Sequence, residues 1–550
     1  MKHLLKAALA VAVAAVSMSA HSNAQTVAVD GLGSSGLFLE LGLGASSSLG
    51  SIKATCVWSE NTNSVIATDS SVTPSLQDKG SAWAAWTTGT GGTCAAPTST
   101  STIYGYLQTD SVVGNRCLFN ANLTTAKCSI AYPTTNPASA GLILGTAGEV
   151  ALPVAVANKL NAAKVNAAGT DIRPEDAEFA IARALTSCGT PVATGSQYLG
   201  LGYTNGGQID SEFSSSVFNV INFTLPASFS VTPVGATPVV FVVNGNGDTT
   251  GFSNPSITNI TSQTLANFLD GTYSYTQQVL SATGMGDSAK VLIREPLSGT
   301  YNTVEYNVTN TTTAKTSQDV GVNQLAAQKN CSGTVPLSNP MNIATLSGGA
   351  RQRAIGTGQE LAQVIANPNS LGYSFWSVAN FAGFTNTAAP FAKYLKVDGI
   401  DPLLKSTATY NGTIPLTGST NLANVDLHTT AQGTYPVWSL LRLVNFGSSP
   451  LAAVTSLASS AQAFVSFGTT TSRPDFITPS TLKVVRSHFI PPAGTIQPTT
   501  AANGHVGLAS SACTAAEAGG DVGGVVYTLT ADSAYCTAHG VTTGQTGQRR

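Results

Sequence analysis

The chain has 550 residues and a formal net charge of −2, and only 9% of its residues are charged, against about 25% in ordinary soluble domains. A balance so close to neutral gives no broad basic field, which argues against a nucleic-acid binder or a protein held on anionic membranes by charge. Ser, Thr, Asn, Gly and Ala fill the gap, a polar but uncharged surface suited to a periplasmic or secreted protein. Any anion site must then be local, built from backbone amides and one or two cationic side chains.

In chain order, residues 1–24 read first as a secretory signal peptide. Lys2, His3 and Lys6 make a positive start, Leu4 to Val16 is apolar apart from Lys6, and Ser22-Asn23-Ala24 supplies small residues before an expected cleavage after Ala24. The apolar core is too short to span a bilayer, and no later run is a transmembrane candidate. Val27-Ala28-Val29, the glycine-rich turn Gly31 to Gly36 and the apolar stretch Leu37 to Leu43 read as strand, turn and helix. Residues 85–102 read as a polar loop, Tyr104 to Phe119 as strand and turn, and Val150 to Ala157 as a strand. Pro174 to Leu185 reads as a helix, with Pro174 in its first turn and Glu175 and Asp176 at the positive end of its dipole.

The continuous apolar run Thr237-Pro238-Val239-Val240-Phe241-Val242-Val243 is expected to be a strand buried on both faces. Thr264 to Leu269 follows as a short helix, Lys290 to Arg294 as a strand, Gln352 to Ala366 as a helix and Gly372 to Trp376 as a strand. Alternating strands and helices predict an α/β protein with mostly parallel sheets. Eight cysteines without a CxxC pair disfavour zinc and thioredoxin-like chemistry, and an even count behind a signal peptide favours disulfides over buried free thiols. Sequence proximity suggests Cys56–Cys94, Cys117–Cys128 and Cys513–Cys536, leaving Cys188–Cys331.

Three segments carry candidate chemistry. Gly31 to Gly36 fits G-x-G-x-x-G between a strand and a helix, where free N–H groups and the helix dipole hold an anion; a plain turn is the alternative. A dinucleotide site needs an acidic residue roughly 20 positions on, and Glu60 is too distant. In Arg294-Glu295-Pro296-Leu297-Ser298-Gly299-Thr300, Arg294 offers a forked cation, Ser298 and Thr300 offer hydroxyls, and Gly299 allows close backbone approach. Together they suit a tetrahedral oxyanion, against the alternative of a capped helix start beside an ion pair. Asp171, just before the helix at Pro174, is either an N-cap or a selectivity device. Monohydrogen phosphate can donate its proton to an acceptor-only carboxylate; sulfate has none to donate and is repelled.

In this order the segments resemble the substrate-binding proteins of phosphate ABC transporters. Gly31-Leu32-Gly33-Ser34-Ser35 is similar to that family's opening Gly-Ala-Gly-Ala-Thr loop, and Gly169-Thr170-Asp171 to its Ala-Ser-Asp. Arg294 with Ser298-Gly299-Thr300 resembles its Arg-x-x-x-Ser-Gly-Thr loop, Leu371-Gly372-Tyr373 its Ile-Gly-Tyr strand and Tyr435-Pro436-Val437 its Tyr-Pro-Ile. Asp110 to Arg116 and Gly349 to Gly356 suggest a divergent branch of longer exported members. The family's second Ser-Gly-rich loop has no plain counterpart, and Ser111-Val112-Val113-Gly114 is the candidate stand-in; residue 295 is Glu where the family places its acid differently.

The resemblance implies a two-lobed type 2 periplasmic-binding-protein fold with insertions and a C-terminal extension. The expected boundaries are 25–233 for the first part of lobe one, 234–374 for lobe two, 375–490 for the return to lobe one and 491–550 for the extension. It implies a phosphate-type ligand at Ser34, Ser35, Ser111, Asp171, Arg294, Ser298, Gly299 and Thr300, no cofactor, and an ABC permease as partner. Enzyme motifs are missing: there is no G-x-S-x-G, H-E-x-x-H or P-loop, and the chain beyond residue 24 has only His428, His488, His505 and His539. The competing readings are an extracellular structural or adhesive protein on the same fold and, third, a secreted hydrolase.

Overall fold

The structure is a computed structural model. It describes residues 25–62, 64–70, 76–88, 94, 96–119, 128–143, 148–174, 177, 204–205, 208–209, 223, 225–226, 228–269, 271–295, 297–308, 342–346, 349–354, 356–385, 388–465, 474–482, 484–486, 525–527 and 546–549. Residues 1–24, Cys188, Cys331, Cys513, Cys536, His488, His505, His539 and most of the predicted helix to Leu185 and of residues 491–550 lie outside these residues.

The strands that matter here are β1 (Thr26–Ser34), β2 (Cys56–Glu60), β3 (Ile66–Asp69), β4 (Leu76–Lys79), β5 (Ala82–Trp86), β6 (Thr102–Thr109), β7 (Cys128–Ala131), β8 (Gly148–Glu149), β9 (Ala167–Thr170), β10 (Thr204–Asn205), β11 (Gln208–Ile209), β12 (Phe229–Asn244), β13 (Asn259–Ile260), β14 (Lys290–Arg294), β15 (Asn342–Leu346), β16 (Gly349–Ala354), β17 (Ser370–Phe375), β18 (Ala392–Tyr394), β19 (Lys396–Val397) and β20 (Trp438–Phe446). The helices are α1 (Phe38–Ser46), α2 (Ser111–Phe119), α3 (Val154–Ala162), α4 (Ser262–Leu269), α5 (Gly299–Asn307), α6 (Gly356–Ala366), α7 (His428–Ala431) and α8 (Ala452–Phe464). The chain is thus mixed α/β, as expected.

One sheet runs through the molecule in the order β15-β16-β14-β17-β12-β20-β9-β1-β6-β5-β2-β8. It contains two parallel triplets, β9-β1-β6 and β16-β14-β17. Antiparallel β12 and β20 join them. The long strand β12 changes partner along its length. Phe229 to Pro238 pairs with β20, and Val239 to Asn244 pairs with β17. Its register slips between Pro233 and Gly235, where proline has no N–H to donate to the ladder.

Both faces of each triplet are covered. Val239, Phe241 and Val243 enter one apolar cluster with Ile293 and Tyr373, while Val240 and Val242 enter another with Leu292, Trp376 and Trp438. The period-two alternation of a strand therefore feeds two cores at once, which is why this stretch carries no polar residue. The other triplet has its own pair of clusters, one around Leu32, Trp58 and Leu107 and one around Val29, Trp83 and Leu441.

Several expectations need correction. The return to the first triplet does not begin at 375: Phe381, Tyr394, Leu403 and Val425 pack with Val240 and Leu292, and β18 pairs antiparallel with the end of β12. The chain comes back only with β20. Val150 to Ala157 is not a strand, because Pro153 opens α3 at Val154, a residue suited to a helix start. The segment from Tyr104 to Phe119 ends in helix α2 rather than a turn, and residues 352–354 belong to β16 rather than to α6.

Two of the predicted disulfides are formed, Cys56–Cys94 and Cys117–Cys128. The second ties α2 to β7 of a small separate sheet, β11-β10-β4-β3-β7. Arg116 on α2 adds an ion pair of 2.6 Å to Asp69 on β3. Among the described residues no helix is long and apolar enough to cross a membrane.

The parallel triplet β9-β1-β6 closes tightly at its carboxyl end. Gly33 has φ +135°, and a Cβ there would lie 2.1 Å from the Gly169 carbonyl oxygen. Gly33→Ala therefore carries both backbone strain and overlap, and should cost about 2–4 kcal/mol of stability. Urea unfolding checks this; an unchanged midpoint would contradict the packing described.

Candidate binding site

The carboxyl ends of parallel strands in an open α/β sheet face a crevice where ligands bind. Here β1 ends at Ser34, β9 leads into Asp171, β6 leads into Asp110 and Ser111 at the start of α2, and β14 ends at Arg294. The loop after β14 enters α5, whose N-cap Ser298 accepts from Tyr301 N–H at 3.3 Å. The helix begins at Gly299, so the free amides at the amino end of α5 belong to the predicted loop, the usual setting for holding an anion.

These ends meet. Ser34 Oγ donates to the Asp171 carboxylate and accepts from Gly36 N–H at 3.0 Å. Ser111 Oγ accepts from Asp171 N–H at 3.1 Å. A Cβ on Gly299 would lie 2.3 Å from Ser111 Oγ and 2.4 Å from Asp171 Oδ2, so only glycine lets α5 approach this closely. Val112 N–H donates to the Leu297 carbonyl at 3.3 Å, a backbone link between α2 and the loop after β14.

Arg294 is 1% exposed. Its Nε and Nη2 donate to Glu295 Oε2 and Oε1, each at 2.8 Å, and Nη1 donates to Thr357 Oγ1 at 2.8 Å. Nη2 also lies 3.5 Å from Asp110 Oδ1, and Nε 3.8 Å from Glu360 Oε2. Thr357 Oγ1 and Ser35 Oγ are 3.1 Å apart, which connects the guanidinium to the turn after β1. Of the predicted residues, Ser34, Ser111, Asp171 and Gly299 form one contact group, and Ser35 and Arg294 meet through Thr357. Ser298 serves as a helix cap and Thr300 is buried in the first turn of α5.

Sequence reasoning missed Thr357, Glu360, Ser439 and Arg442 and gave Asp110 no role. Ser439 Oγ donates to the Asp171 carbonyl, and Arg442 Nη1 lies 3.3 Å from the same oxygen. An arginine and a serine inside the apolar strand β20 were the available signal. Thr357 sits between two glycines at the start of α6, a helix-start signature like that at Gly299.

Burial sets the protonation of the acids. It pushes the Asp171 carboxyl up to about 7, against the opposing pull of Arg294, Ser111 and Arg442. Burial likewise raises Glu360 well above the usual carboxylate range. Asp110 is raised by burial and then by its contact with Glu295. Burial also acts upward on Glu295, but the Arg294 guanidinium and its hydrogen bonds outweigh it and hold that group below its ordinary value.

No family model matches the chain, and no curated protein matches it. Solved structures that it resembles in part include a phosphate-binding protein from Stenotrophomonas maltophilia, at 15% identity and a TM-score of 0.29, covering 62% of this chain and 71% of that one. They include PstS from Borrelia burgdorferi, at 15% identity and TM-score 0.22, with 40% and 60% covered. An ABC-type phosphate transport receptor from Vibrio cholerae stands at 12% identity and TM-score 0.23, with 41% and 63% covered. The chain spans less than two thirds of the length of the last two, and at these values the likeness carries no argument about a ligand.

The position of Asp171 has a consequence for stability. Its carboxyl is raised from 3.8 to about 7, so between those values the folded chain holds a proton that the unfolded chain has released. Its contribution is full below about pH 4 and is lost as pH rises through about 7. The stability difference between Asp171→Asn and the parent should shift across this window in favour of the variant at the upper end. Urea titrations at several pH values measure it; a constant difference contradicts the burial of an ionisable group there.

Proposed function

We propose that the chain is an exported solute-binding protein that captures a small oxyanion, phosphate foremost, in the crevice at the strand ends. The observation that supports this reading most is the contact group of Ser34, Ser111, Asp171 and Gly299, drawn from four separate strand ends, with Arg294 close enough to act on the Asp171 carboxyl. Hydroxyls, the amides opening α5 and one guanidinium are the donors that a tetrahedral oxyanion needs. Asp171 supplies an acceptor among them, and an acceptor suits an anion that still carries a proton. With Glu295 drawing two bonds from Arg294, directed hydrogen bonds rather than net positive charge hold the ligand.

In this reading, lobe one is the β9-β1-β6 half and lobe two is the β16-β14-β17 half together with residues 376–437. Strands β12 and β20 carry the chain between them, and hinge closure about these strands would bring Arg294 and Gly299 onto Ser111 and Asp171. Periplasmic or secreted placement follows from the signal-like residues 1–24 and the two disulfides. An ABC permease is the partner such a protein serves, and the role is binding without catalysis. The paired His428 and Asp426, 2.8 Å apart, belong to α7 and its approach rather than to the proposed site.

A hydrogen bond to a charged group contributes about 1.5–3 kcal/mol, and Arg294 would offer more than one. Arg294→Ala should therefore weaken phosphate binding more than tenfold. Asp171→Asn replaces an acceptor with a group that can also donate, so sulfate, excluded by the parent, should begin to compete. Calorimetric titration with phosphate and sulfate checks both. Phosphate binding that survives both substitutions with affinity and selectivity intact places the site elsewhere.

A further inference from the structure

A guanidinium can only donate, and that sets the direction of the bond from Arg294 to α6. Its Nη1 lies 2.8 Å from Thr357 Oγ1, so the Thr357 oxygen accepts there and keeps its own proton for another partner. Ser35 Oγ, 3.1 Å away, is the other polar group that this hydroxyl meets among the described residues. Two hydroxyls bring two protons, and the bond between them uses one. Whichever of the two donates, one O–H of the pair is left to point elsewhere. A hydroxyl that accepts from a cation is polarised toward donating. This favours the order Arg294 to Thr357 to Ser35 and leaves the free proton on Ser35. Thr357 is 3% exposed, whereas Ser35 is partly exposed, so the free proton belongs to the member of the pair that a ligand can reach.

The same pair borders open space and the contact group of the proposed site. Gly356 and Gly358 flank Thr357, and a Cβ on either would meet nothing within 4 Å. The start of α6 is therefore open on both sides of Thr357, while Thr357 itself turns inward to Arg294. Gly36, next to Ser35, lies beside Asp171: a Cβ there would be 3.4 Å from Ser34 Oγ and 3.6 Å from Asp171 Oδ1. The pair also crosses between the two halves of the sheet. Ser35 follows β1 in one half, and Thr357 opens α6 between β16 and β17 in the other.

We propose that Thr357 is a positioning residue of this site: it takes one N–H of Arg294 and gives its own proton to Ser35, so that the Ser35 hydroxyl is fixed as a donor toward a bound oxyanion. This role rests on the oxyanion-binding reading of the site. The polarity of the arginine is thereby carried from one half of the sheet to the other without a second cation in the crevice. Without the Thr357 hydroxyl, Ser35 has to be oriented by the ligand itself, and that ordering cost lowers affinity.

Calorimetric titration with inorganic phosphate tests this on the full mature chain, after circular dichroism shows each variant folded. Thr357→Val removes the hydroxyl and keeps the shape, and should weaken phosphate about fivefold. Thr357→Ser keeps the hydroxyl and should bind almost as the parent does. Ser35→Ala should weaken phosphate about tenfold. Since Thr357 acts through Ser35, adding Thr357→Val to Ser35→Ala should cost nothing further. Losses that multiply in the double variant mean that Thr357 acts through Arg294 or the fold instead, and they overturn the proposal, as does full affinity in Thr357→Val. If Thr357→Val does not fold, Thr357→Ala takes its place in the comparison. Unchanged affinity in Ser35→Ala, at a partly exposed position, overturns the proposal and leaves the oxyanion reading in place. A parent that binds no phosphate overturns the oxyanion reading itself, and the role of Thr357 falls with it.

Discussion

Arg294 is buried to within 1%, and a buried guanidinium without partners costs several kcal/mol. Its surroundings answer that demand. Glu295 takes the fork, Thr357 takes the remaining Nη1, and Asp110 and Glu360 stand within 4 Å. These partners come from the β6–α2 junction, α6 and the loop after β14, so satisfying one charge draws together elements from both halves of the sheet. The same pairing limits the free positive charge at the crevice. In the proposed function, an oxyanion there meets a guanidinium already held in place by an acid, with hydroxyls and helix amides around it.

Steric constraints complete the arrangement. Gly114 on α2 lies so close to β1 that a Cβ would come within 2.8 Å of the Leu32 carbonyl oxygen. The absence of a side chain there lets the helix sit down on the strand and presents Ser111 at the crevice. At its other end α2 is fastened to the small sheet by Cys117–Cys128 and by Arg116–Asp69. The insertion that carries β3, β4 and β7 is therefore joined to the helix that shapes the proposed site, and it also brings Asp78 toward Asp110 and Glu295.

Much of this was legible in the sequence where the signal is local. The run Val239 to Val243 announced a strand buried on both faces, and Gly31 and Arg294 announced strand ends that border the proposed site. The two described disulfides followed from proximity along the chain. What escaped was non-local. Asp110, Glu360 and Arg442 look like isolated charges in sequence and acquire a role only when β6, α6 and β20 are brought together. Residues 376–437 hold few regular elements, so nothing in their periodicity tells which half of the sheet they cover; their apolar side chains settle it by packing on Val240 and Leu292. Helix α2 was hidden by its own composition, since Val112, Val113 and Gly114 disfavour helix locally and tertiary packing overrides that preference.

The proposed site is the meeting of Ser34, Ser111, Asp171 and the amino end of α5, with Arg294 beside them. A crystal structure of the mature chain grown in phosphate tests it most directly. The account predicts tetrahedral density within hydrogen-bonding distance of Arg294, of Ser34 or Ser111 and of the Gly299 or Thr300 amide, with one phosphate oxygen against Asp171. The same fold with phosphate saturating and this position without such density, or with the anion bound only elsewhere, contradicts it.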